Sequence, residues 1–233
     1  MKHAGNGPAS PGPAGEKEGV MGSTGKAGCG CIIGILVVVM VLAGVLMHPM
    51  SLKFMAKQFR YEDKIVPADA LFVPRFAEDK KGDLYAEAFR EYFAGNGKAV
   101  YIEDDKILGT NITEFVSRMA KARGVKENII KGIDPGPDGT AGTNALKEKL
   151  KASGAKKVIV VVPEYASRRY HYIYDSSRSG DAVFYMIKPV QVTYFQRDKW
   201  WRDGLSRSLM AREFYASLSH YSSMLWKKES GKQ

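Results

Sequence analysis

The most apolar run outside the N-terminal region is Val158 to Val162, where five consecutive residues are β-branched. Such a run predicts a strand that is buried on both faces, as in a parallel sheet covered by helices. Pro163 ends the strand, because proline has no N–H to donate to a sheet ladder. In open α/β sheets, ligands bind beyond the carboxyl ends of the strands, where the strand order reverses. The pattern therefore predicts a functional loop at Pro163 to Arg169.

Around this strand, short apolar runs alternate with segments of helical periodicity. The other predicted strands are Ala70–Val73, Ala99–Ile102, Asn128–Ile133 and Ala182–Ile187. The predicted helices are Asp83–Phe93, Ile112–Arg123, Thr143–Ser153, Tyr165–Tyr174 and Ser206–Trp226. This alternation predicts an α/β fold, a three-layer, doubly wound, Rossmann-like parallel sheet with strand order 3-2-1-4-5. We expect the last helix to pack through one apolar stripe: Leu209, Phe214, Leu218, Tyr221 and Leu225.

A second apolar run, Ala27 to Leu52, contains no Lys, Arg, Asp or Glu. A helix of about 20 such residues spans the hydrocarbon core of a bilayer, so we predict a single transmembrane helix here. A buried core helix would show a polar face, and this run has none. A cleaved signal peptide is the closer alternative, but the run is long and no A-x-A site follows. The predicted organisation is a disordered Gly/Pro-rich tail (1–26), this helix (27–52), a basic, aromatic connector (53–66) and an α/β domain (67–228).

Charge and cysteine content narrow the function classes. The formal net charge is +10, but the basic residues are scattered and form no long run or aromatic-basic stripe, so we expect no nucleic-acid partner. The two cysteines, Cys29 and Cys31, lie at the edge of the apolar segment. The predicted domain is therefore free of cysteine, which is compatible with an oxidising compartment. Basic residues flank both ends of the apolar segment, so the positive-inside rule does not orient it.

Several short motifs recur in the order found in a known family. The chain has an Ala-Asp-Ala strand start, a Thr-Glu helix start with a later Met, a Gly-Val after that helix, an Asn-Ala pair, a Tyr followed by two Arg, a Trp pair and a late Glu. From Ala68 to Trp226 it resembles the YdcF-like family, to which the SanA and ElyC envelope proteins belong. The matching residues are Ala68-Asp69-Ala70, Thr113-Glu114, Met119, Gly124-Val125, Asn144-Ala145, Tyr165, Arg168, Arg169, Trp200-Trp201 and Glu213.

This resemblance implies a bacterial envelope protein, anchored once in the inner membrane, with its domain on the periplasmic side. The chain departs from the family pattern in the loops after the predicted strands, where the family's functional residues are expected. Pro74-Arg75 replaces a Gly-Gly turn, and Glu103-Asp104 replaces Ser-Gly. Val162, Pro163 and Ala166 stand where the family has Thr-Ser and His, and Ala141 stands where it has Thr. These departures favour a binding or accessory module in envelope biogenesis over the alternative, an enzyme acting on a nucleotide-like or phosphorylated precursor.

The candidate site is a crevice between Pro74-Arg75 and Pro163–Arg169. Arg75 follows the first strand, and Arg168 and Arg169 follow the fourth, so adjacent strands bring three guanidinium groups toward one opening. Guanidinium forks and free N–H groups at a helix start suit phosphate or carboxylate, and we expect an anionic small-molecule ligand without a metal. Asn144 would add a polar contact, and the resemblance adds Glu114 and Tyr165. Glu103, Asp104 and Asp105 have Mg²⁺-binding residue types, although a solvated turn is the simpler interpretation. The sequence designates no cofactor and no catalytic residue.

Overall fold

The computed structural model describes residues 26–107, 110–135, 140–175 and 182–230. The predicted disordered tail lies outside this part of the chain, apart from its last residue. The chain divides into two compact units, Met1–Met47 and His48–Gln233. We describe each unit by itself.

The first unit contains helix α1 (Lys26–Met47), which has no acidic residue in its first turn and no basic residue in its last. The large apolar side chains from Ile32 to Met47 are all exposed to more than two-fifths of their area. The predicted span Ala27–Leu52 thus covers α1 and the start of a second helix. Among the described residues, no single helix is long and apolar enough to cross a membrane, and Ile32–Met47 meets the criteria only as a bent pair with Pro49–Gln58.

The second unit is built on a five-stranded, all-parallel sheet. Its five strands are β1 (Ala70–Val73), β2 (Val100–Glu103), β5 (Ile130–Ile133), β6 (Lys157–Pro163) and β7 (Phe184–Val190). Two further strands, β3 (Lys106–Ile107) and β4 (Thr110–Asn111), form a separate small sheet. The helices are α2 (Pro49–Gln58), α3 (Asp83–Phe93), α4 (Ile112–Ala122), α5 (Thr140–Ala152), α6 (Ser167–Tyr174) and α7 (Gly204–Ser230), with short 3-10 helices at Glu127–Ile129 and Arg197–Lys199.

The sheet order is β5-β2-β1-β6-β7, which confirms the predicted order 3-2-1-4-5. The central strand β6 lies parallel to β1, with Ala70 opposite Val158, as predicted. The small antiparallel pair of β3 and β4, which follows β2 directly, has no counterpart among the predicted strands. The order of the strands reverses between β1 and β6, although the two strands are parallel. In doubly wound sheets, this reversal of strand order is where the ligand crevice lies.

Two apolar clusters cover the two faces of the sheet. Alternate residues of β1 divide between them, since successive side chains of a strand point to opposite faces. Leu71 and Val73 pack with α3, α4 and the start of α7, whereas Ala70 and Phe72 pack with α5 and α6. The three-layer arrangement therefore follows from fully apolar strands that need covering on both sides.

Helix α7 differs from its prediction in the face it buries. Leu209 is buried as expected, but Phe214 and Leu218 are 54% and 58% exposed, so the predicted packing stripe is wrong there. The side chains of Tyr221 and Leu225 lie outside the described residues. The face that does pack has the same helical spacing but includes small and charged residues: Ser206, Leu209, Met210 and Glu213.

The segment between α2 and β1, predicted as part of a connector, lies against the edge strand β7. The Asp63 N–H donates to the Ile187 carbonyl at 3.1 Å, and the Ile187 N–H donates to an Asp63 carboxylate oxygen at 2.8 Å. Two residues further along β7, Pro189 has no N–H to offer. Asp63 and Pro189 together protect this edge of the sheet from pairing with another strand.

Candidate functional site

The crevice predicted from the sequence lies at the carboxyl ends of β1 and β6. From β1 the chain builds outward through β2 to β5, and β6 then returns to the other side of β1. The segment Pro74–Phe76 leaves β1, and Glu164–Ser167 leaves β6. Because β1 and β6 are parallel neighbours, both segments begin at the side of the sheet where the carboxyl ends of the strands lie. The position of the candidate site is therefore the one expected for a doubly wound fold.

Aromatic side chains fill the floor of this crevice. The Tyr165 ring packs 4.9 Å from Phe195 and 6.4 Å from both Phe76 and Tyr194, measured between ring centroids. Phe76 also lies 5.5 Å from Tyr170. Tyr165 is only 1% exposed, so the residue predicted to contact a ligand is part of the core.

The tyrosines of this floor stay neutral over the physiological range. Burial raises the pKa of Tyr170 to about 12, and it raises the pKa of Tyr165 and Tyr194 further above the usual value of a phenol. A neutral phenol offers neither a negative charge to bind a cation nor a ready base at neutral pH. The floor therefore contributes packing and no charge.

Arg75, the first of the three predicted arginines, is held by the loop that follows β2. Its backbone N–H donates to a Glu103 carboxylate oxygen at 2.9 Å, and its guanidinium pairs with the Asp105 carboxylate. Both side chains of the Arg75–Asp105 pair are somewhat more than one-third exposed. Burial raises the pKa of Glu103 despite the favourable contact with Arg75. The first arginine thus faces carboxylates of the chain itself.

Asp104, between these two acids, caps helix α4. One of its carboxylate oxygens accepts the Thr113 N–H at 3.0 Å, and the Asp105 carbonyl accepts the Ile112 N–H at 2.9 Å. Space for this cap depends on Gly132 of β5, because a Cβ there would lie 2.5 Å from the Thr113 hydroxyl and 2.9 Å from the other Asp104 oxygen. The anion-attracting end of α4 is therefore already occupied by a carboxylate.

The other interpretation of Glu103–Asp105 was a Mg²⁺ site. In the structure, Glu103 and Asp105 contact Arg75, and Asp104 accepts a hydrogen bond from α4. Among the residues that the structure describes, no group of three or more His, Cys, Asp or Glu side chains is placed to hold a metal ion.

Arg169 forms a deeply buried ion pair with Glu213. Its guanidinium bonds both carboxylate oxygens of Glu213, the second at 3.2 Å, and Glu213 is only 2% exposed. The same guanidinium lies 4.9 Å from the centroid of the Tyr170 ring. Burial alone would lower the pKa of Arg169, but the hydrogen bond to Glu213 raises it. The pair joins α6 to α7 and leaves the guanidinium with a partner on each side.

Arg168 bonds to the segment that follows α2. Its backbone N–H donates to the Phe59 carbonyl at 3.0 Å, and its guanidinium donates to the Arg60 carbonyl at 3.3 Å. The neighbouring Ser167 hydroxyl accepts the Tyr61 N–H at 2.8 Å. Arg168 and Ser167 therefore fasten the segment after α2 to the start of α6.

The two remaining predicted residues lie apart from this cluster. Glu114 is exposed on the first turn of α4 and pairs with Arg118, and Asn144 is exposed on α5. Within the described part of the chain, no hydrogen bond or ion pair joins either residue to the predicted arginines. Tyr165 and Arg169 are linked through the rings of Phe76 and Tyr170, and the anion contact itself stays a prediction.

Sequence reasoning named Asp105 and Glu213 but did not predict that they pair with arginines. It missed two further acidic partners: Glu164, which is 3% exposed and accepts a hydrogen bond from Arg197 at 3.0 Å, and Glu78, which pairs with Arg212. Burial raises the pKa of Glu164 although Arg197 opposes this shift. Their position in the sequence could have indicated buried ion pairs, since Glu103 ends the buried strand β2 and Glu164 directly follows the buried strand β6. A charged residue there must find a partner within the fold.

No family model matches the chain, and no curated protein or solved structure matches it. The fold and the site define the class by themselves. The second unit is a doubly wound, Rossmann-like α/β domain in which the three predicted arginines are each bonded to groups of the same chain.

Proposed function

We propose that this protein is a membrane-anchored binding or accessory module whose crevice is a degenerate anion-binding site. The observation that carries the proposal is the pairing of Arg75 with Asp105 and of Arg169 with Glu213. Both arginines lie where a doubly wound sheet binds anionic ligands. In each case a carboxylate of the chain takes the position that a ligand phosphate or carboxylate would take.

A third carboxylate supports the same proposal. Helix N-termini at the edge of α/β sheets bind phosphate through their free N–H groups. At α4 that place is taken by Asp104, which accepts the Thr113 N–H. An incoming anion would have to displace one of these carboxylates and would leave it unpaired beside its own negative charge. Charge-assisted hydrogen bonds contribute about 1.5–3 kcal/mol each, so this competition weakens anion binding strongly.

The same observations disfavour catalysis in the crevice. A catalytic carboxylate must be able to reach its substrate, and a general base must lie within hydrogen-bond distance of the proton it takes. Asp104 and Asp105 are committed to α4 and Arg75, and Glu164 is buried against Arg197. A binding or accessory role requires none of these groups to be free.

The membrane anchor in this proposal is helix α1. It carries most of the run Ala27–Leu52, which contains no Lys, Arg, Asp or Glu, and this composition supports the proposal. Its exposed side chains from Ile32 to Met47 form an apolar surface on all sides, which lipid would cover. The resemblance to YdcF-like proteins extends the proposal to the bacterial inner membrane, with the α/β domain on the periplasmic side.

The orientation is tested by adding protease to intact spheroplasts. We expect removal of the α/β domain, and its protection until the membrane is lysed would contradict the periplasmic placement.

Ligand binding is tested on the full chain in detergent micelles by thermal-shift measurements with inorganic phosphate, nucleotides and sugar phosphates. We expect no saturable shift in melting temperature, because the arginines already have partners. A shift that saturates with one of these ligands, and that is lost in an Arg75→Ala variant, would show an open and functional site.

A further inference from the structure

Helix α2 presents two apolar faces. Leu52 and Ala56 are buried against the α/β domain. On the opposite side, Met50 is 74% exposed and Phe54 is 62% exposed. Burying these two side chains would be favourable, and the described domain leaves them uncovered.

The charged residues of α2 have one sign. The exposed Lys53 and Lys57 lie on one side of Met50 and Phe54 on the helix surface, and α2 contains no Asp or Glu. Exposed apolar residues next to lysines are typical of helices that lie in the plane of a membrane surface. Basic residues at such a surface are attracted to anionic headgroups.

Chain continuity places α2 at a bilayer if α1 is the anchor. Only His48 separates the end of α1 at Met47 from the start of α2 at Pro49. His48 caps α2 by accepting the Met50 N–H at its Nδ1 atom, and Pro49 occupies the first turn. If α1 is anchored, α2 therefore begins within two residues of the anchor along the chain.

The domain holds α2 in a fixed position. The Trp200 indole N–H donates to the Leu52 carbonyl at 2.9 Å, and the Arg168 N–H donates to the Phe59 carbonyl just after the helix. Docking of α2 would therefore orient the whole domain. It would also bring the carboxyl end of β6, where α6 begins with Ser167 and Arg168, next to the headgroup layer.

We propose that the exposed face of α2, formed by Met50, Lys53, Phe54 and Lys57, docks on the anionic surface of the bilayer. This inference rests on the proposed membrane anchor. Met50 and Phe54 enter the boundary between headgroups and acyl chains, and the two lysines contact lipid phosphates. The docked helix holds the crevice end of the sheet at the membrane.

The test uses the full chain with Cys29 and Cys31 replaced by Ser, reconstituted into phosphatidylcholine vesicles with and without phosphatidylglycerol. An environment-sensitive nitrobenzoxadiazole dye is attached to Phe54→Cys in one variant and to Phe115→Cys in the control. Phe115 is the matched control because it is also an exposed helical phenylalanine, at 61%, but lies on α4.

With phosphatidylglycerol present, we expect a blue shift and quenching by spin-labelled lipid for the dye at position 54 and neither for the dye at position 115. Replacing Lys53 and Lys57 by Gln should shift the docking equilibrium toward the undocked state by about fivefold for each lysine. Equal signals at positions 54 and 115 would overturn the inference. Equal quenching with and without phosphatidylglycerol would overturn the anionic-surface assignment.

Vesicle flotation separates this inference from the anchor. If the chain floats with the vesicles while the dye at position 54 remains in water, the anchor stands and the docking of α2 is wrong. If the chain does not float, the anchor and the docking both fail.

Discussion

At the scale of single residues, the crevice shows how burial decides what an arginine can do. Arg169 was predicted to bind an anion because it begins a helix at the switch point. The structure pairs it with Glu213, whose carboxylate is nearly inaccessible to solvent. The sequence indicated both residues but not their contact, because 44 positions separate them and only the packing of α7 beside α6 brings them together.

The Arg169–Glu213 pair should be important for stability. Glu213→Ala leaves a buried guanidinium without its partner, and we expect a loss of about 3–5 kcal/mol in the free energy of unfolding. Glu114→Ala is the matched control, since it breaks the exposed pair with Arg118 and should cost about 0.5 kcal/mol or less. Urea denaturation of the full chain in detergent measures both. Equal losses in the two variants would mean that the Glu213 pair is not buried in solution.

A second ion pair predicts a pH dependence. Glu91 of α3 lies 2.9 Å from the Lys188 ammonium of β7 and accepts a hydrogen bond from the Asn96 amide at 2.6 Å. Burial alone would raise the pKa of Glu91, but the hydrogen bonds from Lys188 and Asn96 lower it below its usual 4.5. Because the folded state favours the charged form, this stability is complete above pH 4.5 and is lost as the pH falls through the lowered pKa.

Glu91→Gln should therefore make the free energy of unfolding less dependent on pH in the acidic range. We expect the variant to lose about 1–3 kcal/mol at neutral pH and to approach the wild type as the pH falls. Urea unfolding at a series of pH values below neutrality measures the difference between the two proteins. A constant difference at all pH values would show that the Glu91 charge is not involved.

At the scale of elements, hydrophobic periodicity predicted the sheet and most helices, because strands covered on both faces and amphipathic helices leave clear patterns. It failed where the pattern is short or carries two faces. Helix α2 was placed partly in the anchor and partly in a connector, since its buried and exposed apolar residues together show no single stripe. In α7 the spacing was right but the face was wrong, because Ser206 and Glu213 replace apolar residues on the buried side.

The start of α4 supplies a test at this scale. Gly132→Ala places a Cβ against the Thr113 hydroxyl and the Asp104 carboxylate, so the cap of α4 must shift. We expect a loss of about 1–3 kcal/mol in the free energy of unfolding, from overpacking and the weakened cap. Gly204→Ala at the start of α7 is the control, because its nearest neighbouring atom lies 4.0 Å away. If Gly132→Ala were as stable as Gly204→Ala in urea denaturation, the Asp104 cap would not form as described.

At the scale of the whole molecule, the fold and the position of the crevice were predictable, because strand order alone sets the switch point. Its charge was not. Arg75 follows β1 and Arg169 follows β6, and each pairs with a carboxylate of the chain: Asp105, after β2, and Glu213, on α7. The net charge of +10 therefore gives no guide to the charge inside this crevice. The central claim is that these carboxylates stand in for a ligand anion.

The most direct measurement is calorimetric titration of the full chain in detergent with inorganic pyrophosphate. It compares the wild type with Asp105→Asn, which frees Arg75, and with Glu114→Gln, which removes an exposed carboxylate outside the crevice. We expect Asp105→Asn to bind pyrophosphate about 10- to 100-fold more tightly than the other two proteins, the gain of one charge-assisted hydrogen bond. Equal affinity in all three proteins, measurable or not, would contradict the claim that Asp105 occupies the site of an anion.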